Sequence, residues 1–283
     1  MEKKNIKIVF IDIDGTLADD NKNISVEDIE SIKKIRAKGV HVCLTSGKPA
    51  KSIQRFSELC GAWPYAISST GAFVCNMETN EVIYCNNIEK NIAITILKIV
   101  EKYNTYKMVT ISGDLIVDER KFGMYKPNRP EAIEVRSILE YIQNNQGDIL
   151  QFSIIDESID KLKKIKNELS ILTVSTNLDK IEIPKHFLEE YERGRKLFAL
   201  DVTAKNVSKY FAVKALLKYT RIKTENSMAI GDGMNDLEMF KAVGYKVAMA
   251  NAVKQIKDLA DFETLSNNNS GVGFAIENII LED

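Results

Sequence analysis

The 283-residue sequence has almost no net charge, since 39 Lys and Arg residues stand against 40 Asp and Glu residues, which gives -1 at pH 7. Proteins that bind nucleic acid or acidic membranes usually carry a basic surface, so this balance argues against both kinds of partner. The sequence also lacks an apolar run long enough to span a bilayer, and its first residues lack the apolar stretch of a signal peptide. We therefore expect a cytoplasmic protein without a membrane or nucleic-acid partner, and the composition leaves its oligomeric state open.

Cysteine and histidine are scarce, with four and two residues. They are Cys43, Cys60, Cys75, Cys85, His41 and His186. No Cys-x-x-Cys spacing occurs, which favours buried thiols in a reducing compartment over a zinc site or a disulfide framework. The two histidines are isolated and far apart, so a strand-core or surface position is favoured over metal binding for each.

A pair of acidic residues follows the first apolar run of the chain. Residues 6–11 are mostly apolar and β-prone, which is typical of a buried parallel strand, and Asp12, Asp14 and Gly15 follow. Positions i and i+2 of a strand lie on the same side, so both carboxylates can leave the sheet edge together. Such a pair is often a solvated turn, but two carboxylates this close repel unless a cation or a proton lies between them. Gly15 permits the tight turn that brings backbone N–H groups toward a ligand.

A second acidic cluster occurs near the other end of the chain. Residues 228–230 form a short apolar run, and Gly231, Asp232 and Asp236 come after it. Strand and helix patterns alternate around both clusters, which predicts an α/β fold with a parallel, doubly wound sheet. The ends of two acidic strands can then build a cation site at the carboxyl edge of the sheet.

Four motifs in this order resemble the haloacid dehalogenase-like phosphohydrolases, and within them the Cof-type branch with a large inserted cap. They are Asp12-Ile13-Asp14-Gly15-Thr16, Thr45-Ser46-Gly47-Lys48, Lys209 and Gly231-Asp232-Gly233-Met234-Asn235-Asp236. A fifth, weaker similarity is Met249-Ala250-Asn251-Ala252. The motifs cover the two ends of the chain, and the middle carries none. The resemblance implies a Rossmann-like core in two parts, residues 1–85 and 203–283, and an inserted α+β cap at 86–202 that determines substrate specificity.

The resemblance also implies a Mg²⁺ site and a covalent mechanism. Asp12 would be the nucleophile and a metal ligand, Asp232 a second ligand, and the backbone carbonyl of Asp14 a third, since Mg²⁺ prefers hard oxygen ligands. Asp236 would be an outer-shell or direct ligand. The reaction would pass through an aspartyl-phosphate. Asp14 would protonate the leaving alcohol and then activate water, which requires a pKa well above the ~4 of an ordinary Asp.

Phosphate binding is expected from residues of all four motifs, namely Ile13, Ser46, Gly47, Lys209 and Asn235. Ser46 would supply a hydroxyl, Gly47 a backbone N–H and Lys209 a compact positive charge around the phosphate oxygens. Lys205 is the rival of Lys209, but residues 207–209 resemble the Val-Ser-Lys ending of the family motif, which favours Lys209.

Two further positions belong to the weaker part of the resemblance. Thr70 stands where the family often has Asn, which is a departure from the family pattern. For Asn251 we expect a structural role, as a cap of the turn that follows its strand.

These features predict a Mg²⁺-dependent phosphatase of small phosphorylated metabolites, such as sugar phosphates, pyridoxal phosphate or flavin mononucleotide. The inserted cap would close over the carboxyl edge, exclude water and select the leaving group. One alternative is a sugar phosphomutase of the same fold, which would convert a sugar 1-phosphate into the 6-phosphate without releasing phosphate. Another is a non-catalytic, ligand-sensing protein, which would bind a ligand without Mg²⁺-dependent turnover.

Overall fold

The computed structural model describes residues 4–118, 132–181 and 196–281. The chain divides into two units, Met1–Tyr84 with Ser208–Asp283, and Cys85–Val207. The sequence places its boundaries after residues 85 and 202, whereas the units change after residues 84 and 207. The role of the inserted unit as a cap stays a prediction.

The first unit begins with alternating strands and helices. These are β1 (Ile8–Asp12), α1 (Val26–Ala37), β2 (His41–Thr45), α2 (Ala50–Cys60), β3 (Pro64–Ser68), β4 (Phe73–Asn76) and β5 (Val82–Cys85). Every residue of β1 is buried, as its apolar run predicts. Helix α1 begins after Ser25, whose hydroxyl accepts a hydrogen bond from the backbone N–H of Asp28 at 3.1 Å, which is the expected N-cap contact.

The second unit is a mixture of helices and a largely antiparallel sheet. Its elements are α3 (Lys90–Glu101), β6 (Tyr106–Ile111), β7 (Asp114–Asp118), β8 (Ile133–Val135), α4 (Ile138–Asn144), β9 (Ile149–Asp156), α5 (Ile159–Leu169), β10 (Val174–Ile181) and β11 (Leu197–Ala204). Among the described residues the strand order is β10-β11-β9-β6-β7-β8, with only β7 and β8 parallel. Helices α3, α4 and α5 bury their apolar sides in one cluster with this sheet. This is the α+β unit that the sequence predicts.

The sequence pattern mispredicts some local boundaries in the second unit. A helix predicted around residues 135–142 starts later, after Ser137, which caps α4. Two strands predicted at 172–175 and 180–183 are one strand, β10, because the residues between them also pair with β11. The last two residues of that prediction, and a predicted loop at 127–130, lie outside the described residues.

The first unit resumes after the second unit. Its remaining elements are α6 (Lys209–Thr220), β12 (Ser227–Gly231), α7 (Leu237–Ala242), β13 (Tyr245–Ala248), α8 (Lys254–Lys257), β14 (Phe262–Glu263) and α9 (Gly271–Ile276). Within the described residues the sheet has the order β14-β13-β12-β1-β2-β3-β4-β5, and the strands from β14 to β3 are parallel. The predicted parallel α/β core is therefore confirmed.

Strand β1 lies between β12 and β2, so three functional loops leave the same edge of the sheet. Ile8 pairs with Ser227 of β12, and Asp12 pairs with Thr45 of β2. The carboxyl ends of neighbouring parallel strands meet, which brings the segments after Asp12, Thr45 and Gly231 together. In the described part of the chain, no helix has the length and apolar character needed to cross a bilayer.

Candidate functional site

Three carboxylates meet where β1 and β12 end. Asp12 is the last residue of β1, Asp232 follows β12, and Asp236 ends the short 3-10 turn after it. One carboxylate oxygen from each lies within 4.8 Å of the others. Asp12 and Asp236 are buried, so their mutual repulsion is poorly screened by water.

A buried lysine lies between two of these carboxylates. Lys209 is the first residue of α6, and its side chain is 1% exposed. Its Nζ donates to Oδ1 of Asp12 and, at 2.6 Å, to Oδ1 of Asp236. Lys205 is exposed in the turn after β11, in the second unit. Of the two candidate lysines, Lys209 is therefore the one that lies on the carboxylates.

Gly71 allows the start of α6 to approach this edge. Its φ is +100°, and a Cβ at this position would lie 2.5 Å from the backbone carbonyl of Ser208. The two residues before it, Ser69 and Thr70, also have positive φ values of 49° and 60°. Left-handed backbone at a β-branched residue is unusual and strained, so this loop is held by its surroundings.

Asp236 accepts three hydrogen bonds from the protein. Its Oδ2 accepts from the backbone N–H groups of Asp232 and Gly233 at 3.0 and 3.1 Å, while Lys209 occupies Oδ1. Asp236 therefore fixes the shape of the turn that carries Asp232. This geometry suits a supporting position behind a metal ligand better than a direct one.

Asp232 is held from the β1 side. Its Oδ1 accepts a hydrogen bond from the hydroxyl of Thr16 at 2.6 Å. Gly15 has a φ of +82°, and a Cβ there would lie 2.5 Å from Oδ2 of Asp232. Glycine is required at this position because only its backbone can come so close to the carboxylate.

The crowding of acids changes their proton affinities. Burial, together with the charge of Asp236, raises the pKa of Asp12 to about 8, although Lys209 opposes the rise. Burial is also the main cause that raises the pKa of Asp232 to about 6. Burial alone would lower the pKa of Lys209, but the charges of Asp12 and Asp236 raise it well above its usual value. One ammonium does not balance three carboxylates, and these hard oxygen donors fit a small divalent cation.

Asp14 contradicts one expectation from the sequence. Its Oδ1 accepts from Nζ of Lys22 at 3.0 Å, and its Oδ2 accepts from Nζ of Lys48. Burial would raise the pKa of Asp14, but the charges of Lys48 and Lys22 outweigh it and lower the pKa to about 2. The prediction of an elevated pKa is therefore wrong here, because two lysines from separate loops pair with this carboxylate. The group of three carboxylates does not include the side chain of Asp14.

The remaining predicted site residues lie around this edge of the sheet, and some are buried while others are exposed to solvent. Ile13 is fully buried directly after β1, and Ser46 is buried directly after β2. The hydroxyl of Ser46 accepts from the backbone N–H of Lys48 at 3.2 Å. Gly47 and Asn235 are exposed, the latter on the turn that ends in Asp236.

Sequence reasoning missed several residues that touch the site. Thr16 and Lys48 lie inside two of the motifs, but the motifs alone predict no contact for their side chains. Lys22 lies in an Asn-rich loop without any pattern that indicates a site. Asn251 donates to the backbone carbonyl of Gly15 at 2.7 Å, so it reaches well beyond its own turn.

Comparisons with known proteins agree with this geometry. The family profile of haloacid dehalogenase-like hydrolases matches residues 9–276. Phosphatase YwpJ of Bacillus subtilis strain 168 is 26% identical over 290 residues, which cover 97% of this chain and 100% of that protein. The 5-amino-6-(5-phospho-D-ribitylamino)uracil phosphatase YcsE of the same strain is 26% identical over 285 residues, which cover 99% and 98%. The crystal structure of TM0651 from Thermotoga maritima is 27% identical, covers 98% of both chains and has a TM-score of 0.81.

Proposed function

Because this chain belongs to the haloacid dehalogenase-like hydrolase family, we propose that it is a Mg²⁺-dependent phosphatase of small phosphorylated metabolites that acts through an aspartyl-phosphate on Asp12. Family membership and the phosphatase relatives give the class, a phosphoric monoester hydrolase. The metal, the intermediate, the residue roles and the substrates are the proposal. The observation that carries it is the buried group of Asp12, Asp232 and Asp236 with Lys209 bonded between two of its members.

Asp12 is the proposed nucleophile because it is a buried carboxylate at the carboxyl edge of the sheet. A phosphate monoester is a dianion, so an anionic nucleophile needs positive charge beside it. Lys209 supplies one charge and holds Oδ1 of Asp12 in place. Asp12, Asp232 and the backbone carbonyl of Asp14 would hold Mg²⁺, with Asp236 behind them. When bound, Mg²⁺ would neutralise charge on the phosphate and fix its oxygens.

Asp14 is the proposed proton carrier for both halves of the reaction. As a carboxylate paired with Lys48 and Lys22, it has the form that accepts a proton from the attacking water in the second half. In the first half it must carry a proton for the leaving alcohol. We therefore propose that substrate binding loosens the ion pair with Lys48, while Lys22 continues to position the carboxyl group of Asp14.

The phosphate oxygens would be bound by groups at the ends of β1, β2 and β12. The proposed donors are the hydroxyl of Ser46, the backbone N–H groups of Ile13 and Gly47, the amide of Asn235 and the ammonium of Lys209. Phosphoryl transfer depends mainly on such positioning and charge stabilisation.

The substrate class is proposed as a phosphate ester of a small metabolite. Supporting it is the relative YcsE, whose name states a phosphorylated ribityl compound as its substrate. Sugar phosphates, pyridoxal phosphate and flavin mononucleotide are the first compounds to test. The selecting role of the second unit and the cytoplasmic location stay predictions from the sequence.

The test is release of free phosphate from this panel with Mg²⁺, with chelator and with Asp12→Asn. We expect release that requires both the metal and Asp12. Asp258→Asn is the matched control, since Asp258 is an exposed carboxylate paired with Lys254 on α8 and should keep full activity. Full activity of Asp12→Asn would contradict the nucleophile assignment. Isomerisation of a sugar 1-phosphate without free phosphate would indicate a mutase, and binding without turnover would indicate a sensor.

A further inference from the structure

The loop of residues 15–23, here called the β1 loop, carries two side-chain contacts to the acidic site. Thr16 donates to Asp232 at 2.6 Å, and Lys22 donates to Asp14 at 3.0 Å. Both contacts depend on where the loop lies relative to the sheet.

The β1 loop has its own internal structure at its tip. The backbone N–H of Lys22 donates to the carbonyl of Asp19 at 2.9 Å, and Oδ1 of Asp19 accepts from the backbone N–H groups of Asn21 and Asn23. Lys22 has a φ of +67°, so its backbone conformation is specific. These local contacts shape the tip. The start of the loop is held on β1, because the backbone N–H groups of Leu17 and Ala18 donate to the carbonyls of Asp12 and Ile13 at 3.2 and 2.8 Å.

Three asparagines from the far end of the chain contact the loop. The exposed Asn268 accepts from the backbone N–H of Asp20 at 3.2 Å and donates to Oδ2 of Asp20 at 3.1 Å. The other two bond the loop backbone. Asn251 follows β13, and its Nδ2 donates to the carbonyl of Gly15 at 2.7 Å. Asn267 follows β14, and its Nδ2 donates to the carbonyl of Ala18 at 3.1 Å and to Oδ1 of Asp20 at 3.3 Å. The backbone N–H of Asn267 also donates to Oδ1 of Asn251 at 3.0 Å, which links the two amides. We call Asn251 and Asn267 the asparagine brace.

We propose that the asparagine brace positions the β1 loop, and thereby holds Lys22 on Asp14 and Thr16 on Asp232. Each brace residue uses an amide donor on a loop carbonyl, which a carboxylate cannot do. Asn267 is only 5% exposed, so a loop carbonyl that loses this donor finds little water to replace it. The effect on turnover rests on the proposed phosphatase function, whereas the effect on the loop does not.

Loss of the brace should lower the reaction rate, because small displacements of a group in the site lower it strongly. A misplacement of about 1 Å by a distant change can lower a rate about 10²-fold. The brace residues are more than 220 positions away from the loop in sequence, yet they bond it directly. They are therefore positioning residues, since neither needs to touch the substrate.

Isosteric variants test the donors. Asn251→Asp and Asn267→Asp keep size and one acceptor but remove the N–H donors, and at 267 the new carboxylate also faces Asp20. We expect kcat of phosphate release to fall about 10–100-fold, with KM changed less than about threefold. Asn269→Asp is the matched control, because it makes the same charge change in the same turn, where Nδ2 of Asn269 bonds Ser266. It should stay within about twofold of wild type.

A double-mutant cycle separates positioning from general damage. Lys22→Ala should itself lower kcat about as much as Asn267→Asp. If the brace acts through Lys22, then adding Asn267→Asp to the Lys22→Ala variant should lower kcat further by less than about threefold. Coupled residues behave in this non-additive way, and independent ones do not. Fully multiplicative losses would contradict the proposal.

Hydrogen exchange provides a readout that needs no turnover. We expect amides in residues 15–23 to exchange more than about tenfold faster in both brace variants and at the wild-type rate in Asn269→Asp. Unchanged exchange would overturn the brace. If the wild type releases no phosphate, the proposed function fails while this measurement still tests the brace. If Asn267→Asp does not fold, the exposed Asn251 still allows the test.

Discussion

Replacing Lys209 by Met removes the charge between two buried carboxylates while keeping much of the side-chain volume. The side chains of Lys209, Asp12 and Asp236 are 1%, 4% and 0% exposed. Removing one partner of a buried ion pair destabilises a protein by about 3–5 kcal/mol, because the remaining charge loses its compensation. For a domain of 150–250 residues, where 1 kcal/mol shifts Tm by about 2–4 °C, this predicts a Tm lowered by about 6–20 °C.

The measurement is thermal unfolding followed by circular dichroism in chelator. Lys205→Met is the matched control, because Lys205 is exposed and its loss should change stability by no more than about 0.5 kcal/mol. Adding Mg²⁺ to Lys209→Met should recover part of the lost stability, since a divalent cation can replace the missing charge. Equal Tm values for the two lysine variants would refute the reasoning, because the carboxylates would then not depend on Lys209.

Three further predictions follow from the same edge of the sheet. In chelator, the urea midpoint of unfolding should fall as the pH rises from about 4 toward 8. The pKa values of Asp12, about 8, and Asp232, about 6, are raised in the folded state, which therefore keeps protons that the unfolded state has already lost. Mg²⁺ should flatten this dependence, and a midpoint that rises with pH would contradict the prediction. Gly71→Ala should destabilise the protein by at least about 2 kcal/mol more than Gly39→Ala in urea unfolding, since both glycines have positive φ but a Cβ finds nothing within 4 Å at Gly39. Thr70→Asn should raise Tm by about 1–4 °C, because Asn tolerates a φ of +60° better than a β-branched residue, and a lower Tm would show that the threonine side chain stabilises its loop.

The acidic strand ends could be predicted because the signal is local. An apolar run followed at once by Asp12, or by Gly231 and Asp232, identifies a buried parallel strand and the residue at its carboxyl end. Parallel packing then brings such ends together without further information. Lys209 was recognisable from its motif, whereas periodicity alone does not distinguish it from Lys205.

The environment of Asp14 could not be predicted from its neighbours in sequence. Its pKa depends on Lys22 and Lys48, which reach it from two different loops. Whether a lysine in a loop points to a carboxylate or to solvent depends on backbone conformation, such as the φ of +67° at Lys22, and no periodic pattern encodes it. From its motif alone, Asp14 is therefore expected to have a raised pKa. Its two lysine partners instead lower the pKa.

The asparagine brace was also beyond sequence reasoning, for a different reason. Asn267 lies in a run of polar residues that predicts an ordinary solvated loop. Its amide nevertheless bonds the carbonyl of Ala18, at a sequence separation of 249 residues. Contacts at such separation depend on the order of strands in the sheet, which fixes which loops are neighbours.

The central position of β1 in the sheet delays its complete pairing during protein synthesis. Strand β1 pairs with β2 on one side, but its other partner, β12, begins only at Ser227. At a synthesis rate of about 5–20 residues per second, the ribosome needs about 10–40 s to make the intervening chain. During that time the backbone N–H and C=O groups on one edge of β1 have no native partner, and such edges readily pair with other chains. The nascent amino-terminal half should therefore depend on chaperones until the last third of the chain has emerged.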